Sequence, residues 1–120
     1  MDYSKLSDFE VNLKIAHIIL GKDNYDWNSD KKEVYLSGID GGEFLPNGYF
    51  DPCNNPVDAW PIIICNGISL YHDNGNWQAE MTYYAPVGAF GTDETCSKFV
   101  DDKNPLRAAM IVFLMMQEAK

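Results

Sequence analysis

Residues 68–84, ISLYHDNGNWQAEMTYY, decide the fold of this chain. Asn74-Gly75 is the favoured centre of a two-residue hairpin turn, where both positions need positive φ and glycine adopts it at no steric cost. With those two residues as the loop, Ile68 pairs with Met81, Leu70 with Ala79 and His72 with Trp77, and this set shares one face. Ser69, Tyr71, Asp73, Asn76, Gln78, Glu80 and Thr82 fall on the other. A slip of one residue would exchange the apolar and polar faces, so this split supports the register.

Outward from the hairpin, each end of the chain reads as a helix. Asn104-Pro105 is a helix start, with proline at the first helical position where a missing N–H is harmless. Leu106, Ala109, Met110, Phe113 and Leu114 then recur at helical spacing, and Ile111, Val112, Met115 and Met116 widen the stripe. This predicts a C-terminal helix buried on more than one side and packed on the hairpin. At the other end, Ser7 and Glu10 form a capping box before a stripe of Phe9, Leu13, Ala16 and Leu20, and Gly21 supplies a left-handed stop. A helix over about residues 8–20 is predicted.

The connections are less regular. Residues 22–32 (KDNYDWNSDKK) are rich in turn formers and read as a surface loop carrying Tyr25 and Trp27, followed by a short strand at 33–37 (EVYLS). Glycines and prolines across 38–55 predict an irregular connection anchored by Phe44, Tyr49 and Phe50. Asn55-Pro56 repeats the Asn-Pro helix start, and a short helical turn over 56–60 is expected to end or kink at Pro61. Residues 62–64 (III) are open to helix or extended chain, and 85–103 reads as a second loop. The sum is one α+β domain, residues 1–120: a small antiparallel sheet with a central hairpin, packed by an N-terminal and a C-terminal helix.

Composition agrees. The 120 residues are 46% hydrophobic and 13% aromatic, enough for one core and too few for two secure ones. Nine Lys plus Arg stand against eighteen Asp plus Glu, and no Lys or Arg occurs from Glu33 to Ser97. Duplex binding works by releasing counterions from phosphates through clustered Lys and Arg, so direct nucleic-acid binding is not expected. The acidic centre is either a solubilising surface or a face for a basic partner. Cys53, Cys65 and Cys96 are odd in number and lack C-x-x-C spacing, which suggests reduced thiols of a cytosol. Neither a leader nor a membrane-spanning apolar run is read.

Chemistry is not announced by any motif. His17 and His72 lack metal-ligand partners at ligating spacing, and G-x-S-x-G, Walker and G-x-G-x-x-G patterns are absent. No enzyme, metal or cofactor is expected. The candidate binding residues are Asp51, Asn54, Asn55, Asp58 and Trp60, with Asn104 and Arg107 from the last helix start. Prolines stiffen that segment, the amides supply donors and acceptors, Trp60 a flat surface, and the helix starts offer free N–H groups to an anion. On this reading Asn54→Ala and Arg107→Ala weaken binding and leave stability nearly intact. The alternative, in which Asp51 and Asn55 cap turns, Trp60 anchors a loop and Arg107 is an exposed solubilising charge, stays open.

Residues 50–63 (FDPCNNPVDAWPII), Ile68-Ser69, Trp77 and residues 104–117 (NPLRAAMIVFLMMQ), with the opening 2–10 (DYSKLSDFE), resemble the NinX-like family of small proteins of lambdoid bacteriophages and prophages. The loops at 22–48 and 84–102 match least. The resemblance carries no enzyme activity; it implies a phage accessory protein acting in the host bacterial cytoplasm. Two modes suit such a protein. One is capture and sequestration of a small nucleotide-like signalling ligand of host anti-phage defence; the other is an acidic, DNA-mimicking module that blocks a host nucleic-acid enzyme. A homo-oligomer is compatible with so many large apolar residues in a small domain.

Overall fold

The computed structural model describes residues 2–21, 23–36, 48–85 and 94–119. Helix α1 (Asp8–Ile19) begins at the Ser7–Glu10 capping box, with both reciprocal hydrogen bonds formed, and Gly21 follows it at φ +87°. Strands β1 (Tyr25–Asn28) and β2 (Glu33–Leu36) form an antiparallel pair, and the backbone around Tyr49 adds a bridge to Tyr35. Helix α2 spans Pro56–Asn66; β3 (Ser69–Asp73), β4 (Asn76–Ala85) and β5 (Glu94–Asp102) form a three-stranded sheet in that order; and α3 (Pro105–Ala119) closes the chain.

The central hairpin has the expected register, with Leu70 opposite Ala79, His72 opposite Trp77, and Asn74 and Gly75 both at positive φ. Its apolar face lies under α3, whose Ala108, Ala109, Met110, Ile111, Val112, Phe113, Leu114 and Met116 are all buried. Helix α3 touches every layer: the sheet on one side, α1 and α2 on others. That explains a helix apolar nearly all round. Helix α1 packs on α3 and on β1–β2, so the N-terminal helix covers the small sheet while α3 covers the large one.

Three local expectations are corrected. The stretch read as a surface loop contains β1, because Tyr25↔Leu36 and Trp27↔Val34 pairing with β2 outweighs its turn-forming Asn and Asp. Helix α2 runs through Pro61 to a left-handed cap at Gly67 (φ +61°), which also settles residues 62–64 as helix. Pro61 lies on the exposed side, where water can take the carbonyl that loses its helical donor, and Ile62 and Ile63 hold the opposite side in the core. Val57 (77% exposed), Trp60 and Ile64 share the outer side with it. Finally, residues 94–102 of the second loop form β5, paired along its whole length with β4. The glycine-rich 38–47, with its Phe44 anchor, and 86–93 lie outside the described residues.

Candidate functional site

The segment after Phe50 folds into a polar cleat that ties three parts of the chain together. The side-chain amide of Asn12, buried on α1, donates to Asp51 (2.7 Å), and its carbonyl oxygen accepts from the Cys53 N–H (3.0 Å). Asn54 donates to both Asp8 and Asp51 (3.1 Å each). Asn104 donates to the Cys53 carbonyl (2.7 Å) and to Asn54 Oδ1 (3.3 Å), while its own oxygen accepts from the N–H of Leu106 (2.9 Å) at the start of α3. A single asparagine thus caps a helix and fastens it to a turn fifty residues away.

Arg107 closes the cleat. Its Nη1 donates to Asp8 (2.7 Å), Nε to Asp102 (3.2 Å), and Nη2 to the carbonyls of Leu6 (2.6 Å) and Ser4 (3.2 Å). The side chain is only 13% exposed. Instead of a free cation at a helix start, Arg107 is a fork that joins the N-terminus, α1, the end of β5 and α3. Under it lies Cys53, whose thiol is pushed up to about 12 by burial and then by the charge of Asp8. It stays protonated and unreactive at neutral pH.

Asp51, Asn54, Asn104 and Arg107 therefore come together, with Asp58 joined through its carboxylate, which accepts from the Asp51 N–H (3.0 Å). Burial raises the Asp58 pKa against the opposing pull of that N–H. Asn55 caps α2 by accepting from Val57 N–H. Trp60 does not join them: it is 58% exposed on the outside of α2 and anchors nothing in the core. Asp51 and Asn54 also line a cleft of about 470 Å³, whose wall, among the described residues, carries Asp8 and Glu33 against Lys32. An anion would meet mostly carboxylates there.

A second depression was not legible in the sequence. It measures about 540 Å³ and lies between α1, β1 and the end of α3, over Tyr3 and Leu114. Tyr25 and Trp27, two apart on β1 and so on one side of the strand, stack with ring centroids 5.9 Å apart at 29°. Lys14 and His17, one helical turn apart on α1, line the same groove. His17 Nδ1 and the Tyr25 hydroxyl share a hydrogen bond of 3.1 Å, and the two rings meet edge to face. Trp27 remains 48% exposed. At the α3 end Glu118 bonds Tyr3, whose hydroxyl pKa is raised by burial and then by that carboxylate.

A family model described as bacteriophage P22 NinX matches residues 2–117. The chain belongs to this bacteriophage NinX family. No curated protein and no solved structure matches it. The matched span takes in the cleat and all of the groove of the NinX-family chain except Glu118. Among its described residues, no three His, Cys, Asp or Glu side chains are grouped to hold a metal ion, and no helix is long and apolar enough to cross a membrane. The one signal that could have pointed to the groove was Tyr25-x-Trp27 itself, two aromatics at strand spacing in an otherwise polar run.

Proposed function

We propose that this NinX-family protein is a phage accessory protein of the host bacterial cytoplasm. It works without chemistry, countering a host defence system by capturing a small nucleotide-like molecule. The carrying observation is the groove between α1, β1 and α3, where a stacked aromatic pair adjoins Lys14 and His17. A flat exposed ring beside cationic and hydrogen-bonding groups is the chemistry that holds a base and its phosphate. This moves the site away from the 51–60 segment, whose polar groups are engaged in holding the fold.

The test is to purify the protein from bacteria, denature it and analyse what is released. An ultraviolet-absorbing phosphate compound in near-equal amount to protein is expected. No released compound, together with no nucleotide from a bacterial extract raising the melting temperature, would contradict capture.

A second reading, an acidic module for a host protein, is favoured by one surface. The outer face of β3–β5 presents exposed Tyr71 and Phe99 beside Asp73, Glu80 and Asp101. Reversing those three acids to lysine abolishes host-protein binding on that reading and leaves ligand capture untouched.

A further inference from the structure

Resting on the capture reading, we infer that the groove is built for a nucleoside monophosphate and turns polyphosphates away. The flat wall is one-sided. Trp27 leans on Tyr25 with one ring face and is half exposed, which leaves room for one planar ring to stack against it. A volume of about 540 Å³ lies in the lower half of the roughly 300–1,000 Å³ over which pockets enclose small ligands.

The charges set the number of phosphates. Lys14 and His17 project from successive turns of α1, about 4.5 Å apart along its axis, a separation that one phosphate group can bridge. When the Tyr25 hydroxyl donates to His17 Nδ1, the ring proton sits on Nε2, which then donates to a phosphate oxygen. Beyond this pair the groove holds Gln117 and the carboxylate of Glu118, which is bonded to Tyr3, and among the described residues no further Lys or Arg lines it. A second or third phosphate would meet Glu118 or lie over a chain of net charge −9. A single phosphate, carrying about −1.5 to −2 near neutral pH, is met by the Lys14 ammonium and by the donated hydrogen bond of His17.

Calorimetric titration of the whole protein with AMP, GMP, adenosine and ATP at one ionic strength tests this. AMP or GMP is expected to bind about tenfold tighter than both ATP and adenosine. Lys14→Gln should erase the preference over adenosine, Trp27→Ala should weaken every ligand, and Glu118→Gln should narrow the gap to ATP several-fold. Equal or tighter binding of ATP overturns the monophosphate assignment while capture stands, and so does adenosine binding as well as AMP. Nucleotide binding that survives both Lys14→Gln and Trp27→Ala overturns the groove as its place. If none of the four compounds binds, the capture reading falls and this inference with it.

Discussion

Helix α1 has a polar cleat at its N-terminal end and an aromatic groove along its side, and the two use their side chains in opposite ways. In the cleat, Asn12, Asn54, Asn104 and Arg107 direct their donors at partners within the chain, and among the described residues no buried side-chain nitrogen or oxygen lacks a partner. In the groove, Trp27 is half exposed and the side chains of Lys14 and His17 line open space. A concentration of Asn, Asp, Pro and Arg in a short chain is therefore no pointer to a ligand by itself. Such residues satisfy buried backbone as readily as they bind, and only the count of partners separates the two uses.

The sharpest way to break this contrast is Arg107→Ala. Removing the fork takes the cation from the carboxylates of Asp8 and Asp102 and the donor from two carbonyls, so a loss of about 2–4 kcal/mol in chemical denaturation is expected. Arg107→Lys keeps the charge, cannot fork, and should recover only part of it. Next in size is Asn104→Ala, which removes a helix cap and the tie to Cys53 and should cost about 1–2 kcal/mol. On the groove side the order inverts: Trp27→Ala should change stability by less than about 1 kcal/mol while removing ligand binding.

The smallest effect is expected at Asp58. Its folded pKa lies above the ordinary carboxylate value because the charge is partly buried, so its contribution to stability declines as pH rises through the carboxylate range. Asp58→Asn keeps an acceptor for the Asp51 N–H and removes that charge. A slight gain in melting temperature at pH 7 is expected, shrinking as the pH falls and the native Asp58 takes up its proton. A gain that instead grew in acid would show the carboxylate to be favoured in the fold.

Much of the architecture is legible because it rests on local rules. The hairpin register follows from Asn74-Gly75 and two unlike faces, and α1 and α3 follow from caps and periodicity. Strand β5 hid because its inward positions are Lys98, Val100 and Asp102, at the edge of the sheet, and lack an apolar alternation. The continuation of α2 hid behind Pro61, a residue that breaks helices unless it faces solvent. The cleat's membership was partly legible in Asp51, Asn54, Asp58, Asn104 and Arg107. Its purpose was not, because Asp8 lies 99 positions from Arg107 and nothing local brings them together. The groove depends on β1 pairing with β2 and on α3 returning to α1, contacts that no motif encodes.

The contrast between cleat and groove can be read directly from the tryptophan indole N–H signals of the protein during titration with AMP or GMP, assigned with Trp→Phe variants of Trp27, Trp60 and Trp77. The Trp27 signal is expected to shift progressively while Trp60 and the side-chain amides of Asn54 and Asn104 stay in place. A titration that moves Trp60 and Asn54 and leaves Trp27 unmoved would put the ligand on the 51–60 segment and contradict the account.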